Sequence, residues 1–187
     1  MEETFMVDKY NLDDLERINR LGKGGFCNVY LVTTPDKRRL AMKELHLEGI
    51  DTLHAFVEAA GDLIQEAEIL QQVQHKNIVG LSGISDVDPN IFLNSLGNSG
   101  SYFILLDVMI ETLEDRLGRW YKDEKSWKRK ARSSLSYRSR SLHNLPKEVD
   151  RKRMMERIRT VVLKVADAME YLHDHDIIFQ DLKPGKS

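Results

Sequence analysis

The sequence predicts an α+β fold, and three observations carry that prediction. Short runs alternating apolar and polar residues crowd the first part of the chain, on both sides of a glycine-rich turn at residues 22–25. From Thr52 to Val73 apolar residues instead recur every three or four positions, the spacing of one helix face. A second stretch of that kind, from Arg153 to Tyr171, follows a basic, serine-rich interval. The order is three strands, one helix, two strands, an insertion and one long helix.

The first 14 residues read as an N-terminal extension. Leu15 to Leu21 alternates and then meets Gly22-Lys-Gly-Gly, which predicts a strand entering a hairpin, with Asn28 to Thr33 as the return strand. Pro35-Asp36-Lys37 is a turn, and Arg39 to Leu45 is a third strand. In the first helix Phe56, Ala59, Ala60, Leu63, Ala67, Leu70 and Val73 share a face, with Asp51 or Thr52 as its cap. Gly61 inside that helix costs about 1 kcal/mol relative to alanine. Ile78 to Ile84 and Tyr102 to Met109 are two further strands, separated by a long turn from Asp88 to Ser101. The last helix aligns Met154, Ile158, Val161, Val165, Ala168 and Leu172.

At 187 residues the chain can bury about 70% of its unfolded surface, enough for a core without staples. Its composition, 41% hydrophobic and 31% charged, is that of a soluble globular protein. A net charge of −2 gives no steer toward nucleic acid or a membrane surface. The acidic start, Met1-Glu-Glu-Thr-Phe, differs from a basic signal or transit peptide, and no apolar run reaches the ~20 residues of a membrane span. The single cysteine, Cys27, fits a reducing compartment, so the expected location is cytoplasmic or nuclear. Charge is uneven locally: Lys125 to Arg140 holds seven basic residues and no acidic one. Residues 118–150 are therefore expected to be a disordered basic insertion, serving as a solvated linker or as a docking and phosphorylation segment. The spacing Arg138-x-x-Ser141 suits the second use.

Three groups of residues carry chemistry. Glycines at 22 and 24 let backbone N–H groups approach phosphate oxygens, although such a hairpin also serves as a plain tight turn. Fourteen residues after Val29 comes Lys43, in an otherwise apolar strand. A lysine with a half-buried stem needs an anionic partner, and Glu66 of the first helix is the candidate. Glu68 is its rival, but it lies about 200° around the helix, so only one of the two can face Lys43. The last group is Gln180-Asp181-Leu182-Lys183-Pro184, after the long helix. A carboxylate there can accept a hydroxyl proton, and a cation two residues on can neutralise a transferred phosphoryl group.

Together these motifs resemble the eukaryotic protein kinases, whose signature joins a glycine-rich loop, an Ala-x-Lys strand, a helix glutamate and an Asp-x-Lys loop. The resemblance runs from about Leu15 to Pro184, outside the two irregular stretches. It implies a kinase N-terminal lobe, with a five-stranded antiparallel sheet and one packed helix over residues 15–117, and the start of a helical C-terminal lobe at 151–187. It also implies ATP as a ligand, roofed by Gly22, Gly24 and Val29, with Leu21, Lys23 and Gly25 in the same loop. Ala41 would contact adenine, Lys43 would hold the α- and β-phosphates, and Glu66 would pair with Lys43. Leu106 would be the gatekeeper, with Asp107 and Met109 offering hinge backbone groups. Asp181 would be the catalytic base, and Lys183 resembles the serine/threonine subclass, which implies protein Ser/Thr hydroxyls as acceptors.

The chain also departs from the pattern. Cys27 stands at the third glycine position, and Gln180 stands where these kinases carry an arginine. Lys186 occupies the expected asparagine, and no Asp-Phe-Gly follows, so both protein ligands for Mg²⁺ are expected to be absent and the chain to be inactive alone. Three readings compete at this level: a partial Ser/Thr kinase, an ATP-binding pseudokinase, and an interaction module acting through the basic insertion. The apolar face of the long helix is expected to be partly exposed, available to a partner protein.

Overall fold

A computed structural model of the chain describes residues 7–46, 50, 52–98, 100–134, 145–180 and 182. They form two compact units that divide between Met109 and Ile110. The first unit contains strands β1 (Asp8–Tyr10), β2 (Glu16–Lys23), β3 (Cys27–Thr33), β4 (Arg39–Leu45), β5 (Leu81–Ser85) and β6 (Phe103–Leu106), with helices α1 (Leu53–Leu70) and α2 (Pro89–Asn94). The second contains α3 (Leu113–Ser134) and α4 (Leu145–Asp174). The fold is α+β, as the sequence predicts.

The sheet runs β1-β5-β6-β4-β3-β2. The five strands expected from the sequence make its antiparallel part. The sheet is nevertheless mixed and six-stranded, because β1, from the expected extension, pairs parallel to β5. Three residues are too few to display a period of two, and β1 exists because β5 offers it an open edge.

Successive residues of a strand point to opposite faces, so the ladder has two cores. On one face Phe56, Ala60, Leu63, Ile64 and Ala67 of α1 pack over Ile104, with Leu45, Leu81, Leu106 and Cys27 at the margin. On the other face Val32, Leu40, Met42, Phe103 and Leu105 are covered by Leu15, Tyr10 and Leu12. The N-terminal segment is therefore the lid of the second core. Full burial of one such side chain, Phe103 or Leu63, is worth about 1.5–3 kcal/mol.

Helix α1 begins where expected. Thr52 accepts a hydrogen bond from the Ala55 N–H at 3.1 Å, a cap for one of the otherwise unpaired first-turn donors. The stretch from Asp88 to Ser101, expected to be an irregular turn, contains α2. Asp88 caps it, accepting from the Asn90 and Ile91 N–H groups at 2.8 and 3.2 Å, and Pro89 supplies a first residue with a preset φ.

In the second unit, residues 118–134 of the expected disordered insertion are helical. Helix α3 starts at a capping box: the Asp115 N–H donates to the Thr112 hydroxyl at 3.1 Å, and the Thr112 N–H donates to the Asp115 carboxylate at 3.4 Å. Glu111 pairs with both Arg116 and Arg119. The Arg157 guanidinium of α4 lies 5.4 Å from the centre of the Trp120 ring of α3. Basic residues are good helix formers, so a long basic run with a strong cap folds locally despite its scarcity of aliphatic side chains. Residues 135–144, which include Arg138 and Ser141, lie outside the described residues. Helix α4 starts at Leu145, eight residues before the apolar spacing from Arg153 that predicted it, and ends in a Schellman motif. The Ile177 N–H donates to the Leu172 carbonyl and the Asp176 N–H to the His173 carbonyl, with Asp176 at φ 58°. Along α4, Leu172 is buried and Met154, Val161, Val165 and Ala168 are half-buried, while Met155, Val162 and Leu163 are exposed. No described helix is long and apolar enough to cross a membrane.

Candidate functional site

Strand register assembles the site from residues far apart in sequence. Directly opposite residues share a face of the sheet, and one row on the α1 face reads Gly22, Val29, Lys43 and Ile104 across β2, β3, β4 and β6. The row two residues away contains Leu31, Ala41, Leu106 and Leu81. Two residues along a strand span about 7 Å. A small apolar floor, Ala41 beside Leu106, therefore lies about one side chain from a cation.

That cation is Lys43, and its ammonium donates to the carboxylate of Glu66 in α1. The two side chains are 28% and 34% exposed, so the pair is about a third in water and reachable by an anion. Glu68 is exposed and does not take Glu66's place. Ala59, Ala60, Leu63, Ile64 and Ala67 face the sheet, Glu66 and Glu68 flank that face on opposite sides, and Glu66 is on the side that meets Lys43.

The glycine-rich hairpin closes through a 2.7 Å hydrogen bond from the Gly24 N–H to the Cys27 carbonyl. Of the two glycines expected to present amides, Gly24 thus spends its N–H inside the hairpin. Gly25 and Phe26 form the exposed tip, and a Cβ on Gly25 would meet nothing within 4 Å. Among the described residues the positive-φ glycines are Gly97 and Gly100, so the hairpin glycines supply clearance and not left-handed backbone. Leu21 and Lys23 of β2 are exposed. Cys27 is half-buried against the α1 core, and burial pushes its thiol up from the ordinary value, partly offset by the charge of Lys43.

Beyond β6 the chain turns through Asp107 to Met109. The Asp107 N–H donates to the Gly80 carbonyl at 3.1 Å, and its carboxylate accepts from the Ser82 hydroxyl at 3.2 Å. The role of Gly80 was not legible in the sequence. A Cβ there would stand 2.6 Å from the Asp107 carboxylate, so glycine lets that side chain fold back and leaves the next residues free at the edge. Met109 is 60% exposed. Asp181 and Lys183 lie outside the described residues. Gln180, just before them, is exposed. Nearby, His175 donates through Nδ1 to the Tyr171 carbonyl at 2.8 Å. Among the described residues no three His, Cys, Asp or Glu side chains converge to hold a metal ion.

A glycine-rich turn, a lysine–glutamate pair across strand and helix, and an apolar floor at a strand end now stand in one unit. The sequence profile of the protein kinase domain matches residues 15–185. The chain belongs to the protein kinase family. Its relatives include cysteine-rich receptor-like protein kinase 46 of Arabidopsis thaliana, 27% identical over 165 residues, covering 88% of this chain and 19% of that protein. A probable serine/threonine-protein kinase of Dictyostelium discoideum is 26% identical over 181 residues, covering 94% of this chain and 22% of that protein. Cysteine-rich receptor-like protein kinase 2 of A. thaliana is 35% identical over 78 residues, 42% of this chain and 11% of its own length. The chain therefore spans about a fifth or less of these relatives.

Proposed function

We propose that this kinase chain binds ATP on the β2–β3–β4 face and serves transfer of the γ-phosphoryl group to serine or threonine hydroxyls of proteins. The observation that carries the reading is the Lys43–Glu66 pair, placed one strand across from Val29 and two strands across from Gly22. In this reading Lys43 binds the α- and β-phosphates and Glu66 holds the ammonium in place. Leu21, Gly22, Lys23, Gly24, Gly25 and Val29 cover the nucleotide, and the adenine lies against Ala41 and Leu106. The backbone groups of Asp107 and Met109 read its edge. The acceptor hydroxyl oxygen bonds to the γ-phosphorus, its proton passes to Asp181, the bond to the β-phosphate oxygen breaks and ADP leaves, with Lys183 neutralising the moving charge. Mg²⁺ supplies further charge neutralisation in this family, but no described residue is assigned as its ligand.

The serine/threonine assignment rests on Lys183 two residues after Asp181, and on the Dictyostelium relative named as a serine/threonine kinase. Calorimetric titration with ATP and with adenosine tests the nucleotide reading. ATP binds more tightly by roughly tenfold or more if one buried-side charge contact is made to phosphate, and Lys43→Ala abolishes the difference. Equal affinity for ATP and adenosine in the wild-type chain overturns it.

A further inference from the structure

We infer that the connection between β5 and β6 is a positioning strut for α1, and that Phe92 is a positioning residue for the Lys43–Glu66 pair. The inference rests on the nucleotide-binding reading of that pair and extends it to a residue outside the site. Antiparallel neighbours need only a short hairpin between them, yet here the chain detours through a capped helix. The detour is tied at its foot, where the buried Ser85 hydroxyl donates to the Ser101 carbonyl at 3.0 Å and accepts from the Val87 N–H at 3.1 Å. It is tied again at its far end, where the Gly97 N–H donates to the Phe92 carbonyl at 3.0 Å.

What this detour delivers is one ring. Phe92 is 3% exposed, with its centroid 5.6 Å from Phe56 of α1 and 5.8 Å from Tyr102 just before β6. Gly97, whose φ of +79° favours glycine, packs over both phenylalanines, where a Cβ would be in ordinary van der Waals contact at 3.5 Å from Phe56 and 3.6 Å from Phe92. Elsewhere the side of α1 toward the sheet mixes Ala59, Ala60 and Ala67 with the buried Leu63 and Ile64. The ring of Phe56, the largest of these side chains and wedged against Phe92, sets where α1 sits along its axis. Glu66 is ten residues on from Phe56, about 15 Å along a rigid helix. A shift of the wedge therefore moves the backbone that carries Glu66.

A double-mutant cycle on the full chain, read as ATP affinity by calorimetry, tests this. Phe92→Leu and Phe92→Ala weaken ATP binding, the alanine by about fivefold or more, while Glu66→Gln weakens it comparably. Adding either Phe92 substitution to Glu66→Gln then changes affinity by less than about twofold, because the route to Lys43 is already cut. Multiplying effects, or a folded Phe92→Leu chain with wild-type affinity, overturn the positioning role. If Glu66→Gln itself leaves ATP affinity unchanged, the ion-pair reading fails and the strut fails with it. Phe92→Leu keeps most of the buried volume, so the test survives if the alanine chain does not fold.

Discussion

Gly83 of β5 lies directly beneath the ring of Tyr10 in β1: a Cβ at position 83 would stand 2.7 Å from Tyr10 Cε2 and 3.1 Å from Leu105 Cδ1. A glycine in the middle of a strand is here the condition for the sixth strand to dock. Gly83→Ala is expected to cost about 1–3 kcal/mol, through overpacking of a filled site. The added methyl displaces the ring, so the amides of residues 8–10 should lose protection in hydrogen exchange. Unchanged protection there would show that β1 is held independently of Tyr10.

Gly61 gives the opposite sign. It is helical, inside α1, and a Cβ there would meet nothing within 4 Å. Gly61→Ala should stabilise the chain by about 0.5–1 kcal/mol, by narrowing the unfolded ensemble. Thermal unfolding reads this as an increase in Tm of a few degrees, and a decrease would mean the helix needs the glycine for packing.

Glu44 and Arg17 predict a pH dependence. Glu44 is 8% exposed on the face away from Lys43, 2.7 Å from Arg17. Burial raises its pKa above the ordinary 4.5, and Arg17 pulls it down. A carboxyl whose folded pKa is raised binds its proton more tightly when folded, so this group's contribution to stability is present below pH 4.5 and is lost as pH rises through the raised folded value. Arg17→Met removes the opposing charge and should destabilise by about 1–3 kcal/mol at pH 7, toward the low end because Arg17 is partly solvated. Denaturant unfolding at pH 7 and pH 4 checks it: the penalty should shrink at pH 4, where Glu44 takes up a proton. An equal penalty at both would show that the pair is not coupled.

Cys27 should be a slow thiol. Burial raises its pKa, which lowers the thiolate fraction at neutral pH. Reaction with a chromogenic disulfide at pH 7.5 is expected to be slower in the folded chain than in denaturant, and equal rates would contradict the half-buried placement.

Much of the first unit was legible because its elements are long enough to show their period. The strand Arg39–Leu45 and the helix capped by Thr52 were readable from alternation and three–four spacing, while helix geometry showed only that Glu66 and Glu68 cannot both face Lys43 and the kinase resemblance pointed to Glu66. What escaped depends on partners distant in sequence. Asp8-Lys9-Tyr10 is a strand only because β5 has a free edge, and Gly80 matters only because Asp107 folds onto it. Helix α2 was readable in principle, since Asp88-Pro89 is a cap followed by a first-turn proline, but six residues give the period no length in which to appear. In α3 the scarcity of aliphatic residues hid a helix that starts at its own capping box.

The most direct test of the account is thermal unfolding of the chain with and without ATP, in wild type and in Lys43→Ala. At 100 times its Kd, ATP should stabilise the wild-type fold by about 2.7 kcal/mol, and the shift should be largely lost in the variant. An ATP-dependent shift of equal size in both would contradict the claim that Lys43, held by Glu66, is where the phosphates bind.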